Sequence, residues 1–164
     1  MKNIYQIGAG MVGSAMAADL SKNHNLFLAD YDATILKKIQ SKNPNIQISQ
    51  LDVTDQESLT KWIAPADIVL LAVPGFLGYN ALKTIIKAGK DVVDISFSPE
   101  DVLKLNSLAK EKGVTVLIVS HDEEEASFLS DRLIYMDKYK IKKITVKPFH
   151  KLSLQKHTHR NEHW

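Results

Sequence analysis

The chain has 164 residues, 45% of them apolar, which suits one domain with a real core and excludes the disordered class. It contains no cysteine, which excludes disulfides, thiolate catalysis and cysteine-ligated metals. The net charge of +2 is unevenly spread: residues 138–164 hold eight Lys or Arg against Glu162 alone, +7, leaving residues 1–137 at −5.

No apolar run reaches the roughly 18 residues that a membrane span needs. Met1-Lys2 lead into a strand-like run rather than a signal peptide. The expectation is a cytoplasmic protein with no membrane partner. The basic tail is read as a solvated end, which disfavours nucleic acid as a partner.

In chain order the pattern is strand, helix, strand, helix, repeated. Residues 3–7 read as a buried strand and 11–21 as a helix rich in small residues. Residues 26–28 form a second strand, and 32–42 a helix with Ile35, Leu36 and Ile39 at helical spacing, stopped by Pro44. Residues 46–51 alternate as a strand does; Thr54 is expected to cap a helix over 55–63, with Glu57 completing a capping box. Residues 68–73 are six apolar residues in a row, the mark of a central parallel strand covered on both faces.

A helix over 77–88 closes at Gly89, a strand follows at 92–95, and Ser98-Pro99-Glu100-Asp101 opens a helix that runs to Lys112 before Gly113. Residues 114–119 are a sixth strand. This alternation predicts an α/β fold: a Rossmann-type, doubly wound parallel sheet in three layers, α/β/α, with a short atypical C-terminal extension. The expected division is 1–120 as the dinucleotide domain, 121–147 as an extension and 148–164 as a disordered, basic, His-rich tail. Within the extension, an acidic helix is expected over 121–131 and two strands at 133–136 and 141–146.

Gly8-Ala9-Gly10-Met11-Val12-Gly13 spells G-x-G-x-x-G between a strand and a helix. The first glycine permits the tight turn, the second lets the backbone approach a pyrophosphate, and the third lets the helix pack close to the sheet. The helix N-terminus supplies free N–H groups and a positive dipole end for the phosphates. Asp30 ends the second strand 20 residues after Gly10, where a carboxylate accepts the hydroxyls of the adenosine ribose. It would repel a 2′-phosphate, and Tyr31 and Asp32 offer no arginine, so NAD is preferred over NADP. Asp52-Val53 is expected beside the adenine, and Ala72-Val73-Pro74 where the second ribose and nicotinamide pass.

These segments resemble the N-terminal NAD(P)-binding domain of the saccharopine dehydrogenase family. The residues that carry the likeness are Ile7 to Gly13, Leu51-Asp52-Val53, Asp67 to Pro74, Lys87 to Asp94, Phe97 to Asp101 and Leu108 to Val114. It covers about residues 1–118 and implies an oxidoreductase of amino-acid metabolism acting on C–N bonds. It assigns the three glycines to the pyrophosphate, Asp30 to the ribose and Val73-Pro74 to the nicotinamide side. Members of that family continue into a substrate and dimerisation domain. Here Ser120-His121-Asp122-Glu123-Glu124-Glu125 replaces the usual turn, so no catalytic residue is assigned. Turnover of an amino-acid-derived substrate is expected only with a partner chain or a homodimer that closes the cleft. The alternatives are a non-catalytic dinucleotide-binding module and an inactive remnant.

A shorter stretch, about residues 115–141, resembles the switch-histidine segment of ABC-transporter ATPases, with His121 at the histidine. The chain has no G-x-x-x-x-G-K-[ST] loop, which ranks a nucleotide hydrolase last. His150, His157, His159 and His163 are read as tail residues and not as metal ligands. Asp122 to Glu125 is read as a solvated face. Tyr79 and Lys83 share a helix face without being assigned to catalysis, and Trp62 and Phe76 are expected to pack.

Overall fold

A computed structural model of the chain describes residues 1–98, 101–120, 126–127 and 130–146. It divides into two units, Met1–Ser120 and His121–Trp164.

In the first unit, strand β1 (Asn3–Ile7) runs into helix α1 (Met11–Leu20), β2 (Asn25–Asp30) into α2 (Ala33–Lys42), and β3 (Gln47–Gln50) into α3 (Gln56–Ile63). Strand β4 (Ile68–Leu71) leads to α4 (Gly75–Lys87); β5 (Val92–Asp94) leads through a 3-10 turn (Val102–Leu105) to α5 (Asn106–Lys112), and β6 (Val116–Ile118) closes the sheet. All six strands are parallel in the order β3-β2-β1-β4-β5-β6, so chain direction across the sheet reverses between β1 and β4. This is the Rossmann-type α/β fold that the alternation predicts.

Period-two side-chain alternation splits the core into two layers. Ile4, Leu26 and Leu28 face α1 and α2 through Ala17, Leu36 and Ile39. Tyr5, Ile7, Val69, Leu71 and Val92 face α3 and α4 through Leu59, Ile63, Leu82 and Ile85. Tyr5 stacks on Phe27 at 4.4 Å and takes the edge of Trp62 at 4.8 Å, so Trp62 packs as expected. Phe76 does not: it sits in the first turn of α4 and is 71% exposed.

Three local expectations are corrected. Asp55, not Thr54, caps α3: its carboxylate accepts the N–H groups of Glu57 and Ser58, and the Thr54 hydroxyl donates to Asp52 instead. A carboxylate one residue later reaches two orphan amides where a hydroxyl would satisfy one. Helix α4 starts at Gly75 and not 77, because Pro74 already presets the backbone at its N-cap. The helix expected from Ser98 is, over its described part, a 3-10 turn followed by the seven residues of α5; Pro99 and Glu100 lie outside the described residues. The Gly89 and Gly113 stops hold, with both in the left-handed region at φ +71° and +65°.

In the second unit, β7 (Arg132–Asp137) and β8 (Lys140–Val146) pair antiparallel. Lys138 and Tyr139 make the turn with positive φ. The expected helix over 121–131 falls mainly outside the described residues, as do His121, the acidic run and the tail histidines.

Candidate functional site

The reversal of strand order between β1 and β4 opens a crevice at the carboxyl ends of the strands, and the glycine-rich loop lies there. The loop leaves β1 and is tied at its start to β2, while the chain leaving β4 bonds the end of β1. Gly8 N–H donates to the Ala29 carbonyl of β2 at 2.8 Å, and Ala72 N–H to the Ile7 carbonyl at 2.8 Å. Gly8 has φ +103°, and a Cβ on it would run into the Ala72 carbonyl, so both the turn and the close approach to β4 require glycine. A Cβ on Gly13 would strike the Gly8 carbonyl and meet Gln6 Nε2 at 3.2 Å, so the third glycine lets helix α1 lie against the loop itself.

Helix α1 begins at this loop with no side-chain cap on Gly10 and no acid in its first turn. Helix α4, which leaves β4 on the other side of the strand-order reversal, also begins without a side-chain cap. Helices α2 and α3 instead have their first amides filled by Asp32 and Asp55. Helices α1 and α4 thus both start beside the crevice without a side-chain cap, and there orphan N–H groups and the positive dipole end face an incoming anion. Met11 and Val12, 89% and 55% exposed, stand in the first turn of α1.

Asp30 sits at the end of β2, half-buried. Its Oδ2 accepts the Ala9 N–H at 2.6 Å and its Oδ1 accepts the Asp32 N–H at 2.9 Å. One oxygen thus reaches into the glycine loop while the other faces the turn into α2. Tyr31 lies exposed beside it, its carbonyl held by Gln50 Nε2 at 3.0 Å. Asp32 Oδ1 accepts the N–H groups of Thr34 and Ile35, which closes the N-terminus of α2 to any other anion.

Asp52 follows β3 and is exposed; hydrogen bonds from the Thr54 hydroxyl and amide hold its carboxyl below the usual range. Val53 is half-buried and lines a hollow of about 160 Å³ with Thr54, Gln56, Phe76, Leu77 and Asn80. A larger groove, about 470 Å³, runs from Ala9, Gly10 and Met11 between α1 and α2 to Lys38 and Lys42. Ala72, Val73 and Pro74 leave β4 toward α4, with Val73 buried and Pro74 exposed. The structure thus sets the loop, Asp30 and Tyr31 together on one flank of the strand-order reversal, and puts residues 72–74 across from them on β4.

Two groups escaped the sequence reading. Gln6 is fully buried in β1 and bonds the loop from beneath; its signal was an amide side chain inside the apolar run of β1, two positions before the first glycine. Asp94 ends β5, 2% exposed; burial pushes its carboxyl above the usual range, against a hydrogen bond from the Ser96 N–H at 2.8 Å. Tyr79 packs against the core from α4, and nothing places Lys83 with it in a catalytic pair. Among the described residues no group of three or more His, Asp or Glu is arranged to hold a metal. No described helix is long and apolar enough to cross a membrane.

The family described as the saccharopine dehydrogenase NADP binding domain matches residues 4–117. The saccharopine dehydrogenase (NADP+, L-glutamate-forming) of Saccharomyces cerevisiae is 26% identical over 117 residues, 71% of this chain and 26% of the yeast protein. The apo structure of the L-Glu-forming saccharopine dehydrogenase from that yeast superposes with TM-score 0.66 at 25% identity, covering 72% of this chain and 27% of that one. The alpha-aminoadipic semialdehyde synthase of Arabidopsis thaliana is 33% identical over 73 residues, 44% of this chain and 7% of the plant protein. The chain therefore spans about a quarter or less of the length of these relatives.

Two shorter likenesses also occur. The spermidine/putrescine import ATP-binding protein PotA of Trichormus variabilis is 40% identical over 52 residues, 14% of that protein, in keeping with the ATPase-like stretch read from the sequence. The family described as mannose-6-phosphate isomerase C-terminal matches residues 129–164, a likeness the sequence reading did not anticipate.

Proposed function

This chain belongs, through residues 4–117, to the family of saccharopine dehydrogenase NADP binding domains, and from that premise we propose that it holds NAD(H) in the crevice beyond the carboxyl ends of β1 and β4, where the strand order reverses. The residues from Gly8 to Gly13 (Gly8, Ala9, Gly10, Met11, Val12 and Gly13) take the pyrophosphate on the open N-terminus of α1. Asp30 takes the adenosine ribose through its carboxylate. Tyr31, Asp52 and Val53 flank the adenine. Ala72, Val73 and Pro74 line the path of the second ribose and the nicotinamide.

The observation that carries the proposal is the contrast between α1 and α2. The first is uncapped and free of acids at the glycine loop; the second is capped by Asp32 next to Asp30. Phosphate is favoured at one helix end and refused at the other. A 2′-phosphate beside Asp30 and Asp32 would meet two carboxylates and a filled helix terminus, which supports NAD(H) over NADP(H). The family's name speaks of NADP, so the two cofactors are the discriminating pair to test.

The bound dinucleotide supplies a hydride donor or acceptor at its nicotinamide ring. The chain's part is to hold and orient the cofactor, and turnover requires a substrate held against that ring. The described residues build no wall for one. We assign oxidation or reduction of an amino-acid-derived substrate to this site once further protein, such as a partner chain or a second copy, closes the cleft, working in the cytoplasm. Nucleic acid and membrane are not part of the assignment. A redox-sensing module that binds without turnover is the second reading.

Calorimetric titration with NADH, NADPH and ATP tests the site. Micromolar NADH binding, NADPH weaker by about tenfold or more, and no response to ATP are expected, since like charges brought together in a partly buried site cost at least that much. Asp30→Ala should weaken NADH by roughly ten- to a hundredfold, the worth of hydrogen bonds to a charged group. Equal affinity of wild type and variant would place the ribose elsewhere.

A further inference from the structure

Strand β1 carries one polar side chain on its buried run, Gln6, between Tyr5 and Ile7, and it is wholly inaccessible to solvent. Its Nε2 donates to the Gly8 carbonyl at 2.9 Å and to the Gly13 carbonyl at 2.7 Å. Those are the first and third glycines of the loop. A carboxamide nitrogen has two hydrogens, one for each carbonyl; turned over, it would set an acceptor oxygen against two more acceptors. The orientation is therefore dictated by chemistry. Its Oε1 is buried without a partner among the described residues, so the side chain keeps a polar atom at a cost.

The Gly8 carbonyl and the Ala9 N–H belong to one planar trans peptide and point in opposite directions. Gln6 holds the carbonyl, and Asp30 holds the N–H at 2.6 Å. The peptide is thus gripped from both sides, from the core by an amide and from the crevice by the carboxylate assigned to the ribose. A leucine or valine at position 6 would fill the space but leave both glycine carbonyls without this donor.

We propose that Gln6 is a positioning residue for the dinucleotide: it pins the two ends of the glycine-rich loop so that the amides of the first turn of α1 face the pyrophosphate. It touches no cofactor atom itself. The inference rests on the NAD(H) site proposed above and adds to it a residue that acts from inside the core. Sub-ångström tilts of the loop change every phosphate contact together, so a modest hydrogen-bond loss in the core has a large effect on binding.

The test is NADH titration of wild type, Gln6→Met and Gln6→Glu across a pH series, with thermal unfolding of each. Gln6→Met should weaken NADH roughly tenfold at every pH, the worth of the lost hydrogen bonds. Gln6→Glu should be weaker still where its carboxylate is ionised and faces two carbonyls. It should recover as pH falls, because a protonated carboxyl regains one O–H donor. Wild type and Gln6→Met should lack that acid recovery, which a purely structural role would not produce. Wild-type affinity in both folded variants, or no recovery in Gln6→Glu, overturns the inference while the site stands. Absence of NADH binding by wild type overturns the site, and the inference falls with it. Should neither variant fold, nuclear magnetic resonance of wild type decides: the Gln6 side-chain amide signals should shift during NADH titration in step with the Ala9 amide, and unmoved signals overturn the inference.

Discussion

The sheet of residues 1–120 and the hairpin of β7 and β8 are both rich in branched apolar side chains, yet they differ in what those side chains do. In the sheet, Leu28, Val69, Leu71 and Ile85 lose all contact with water between two layers of helices. In the hairpin, Ile134, Met136, Ile141, Ile144 and Val146 remain 44–69% exposed, with Ile134 facing Ile144 across the strands. Apolar content is the same kind of raw material in both. Six parallel strands supply two faces and helices to cover them, whereas two antiparallel strands have no second layer of their own. The hairpin's ionic contacts are correspondingly slight: Lys142 reaches Asp137 at 3.4 Å, and Lys143 lies over the Tyr135 ring at 5.9 Å. Exposed contacts of this kind contribute little.

The largest expected effect that would break this contrast is in the core. Leu59→Ala, at a site with no exposure, should cost about 2–5 kcal/mol, through lost transfer energy and the cavity left behind. Ile144→Ala should change the same unfolding transition by less than about 0.5 kcal/mol. Urea titration of both variants checks this; equal costs would mean that the hairpin's apolar face is as well packed as the sheet.

A smaller effect lies at Asp94, where the sheet buries a carboxyl. Its folded-state pKa is raised, so native protein binds the proton more tightly than unfolded chain. The stability it contributes is present in full below the ordinary carboxylate pKa and is lost as pH rises through the raised value. Asp94→Asn, which keeps an acceptor for the Ser96 N–H, should therefore melt higher than wild type at neutral pH, by roughly a few degrees. The gap should close on acidification. A variant that melts lower at neutral pH would show the charge to be paired and useful there.

The smallest effect sharpens the comparison by its size. A chain ending at Ser120 should bind NADH as the full chain does, because every residue assigned to the cofactor lies before that point. A large loss of affinity, measured by the same calorimetry, would make the second unit part of the site.

Much of this was legible in the residues alone because the signals are local. Glycines at 8 and 13, an acid at 30 and an unbroken apolar run from 68 each report a short-range requirement: a tight turn with close packing, a carboxylate at a strand end, a strand covered twice. Boundaries were less legible where two neighbours compete for one role. Thr54 and Asp55 are both cap formers, and only the path of the chain decides which side chain reaches the amides. Phe76 looked like core from its type, but its exposure is set by where Pro74 starts α4.

The amino-acid sequence by itself determined the alternation of elements, the glycine loop and the acid after β2, because backbone freedom and side-chain period are properties of residues and their near neighbours. Only the tertiary structure decided that β1 and β4 lie side by side, that Asp30 grips the Ala9 amide, and that a glutamine in the core holds the other face of the same peptide. Those contacts join residues distant in the chain, and pairing across a sheet is fixed by what the strands bury together.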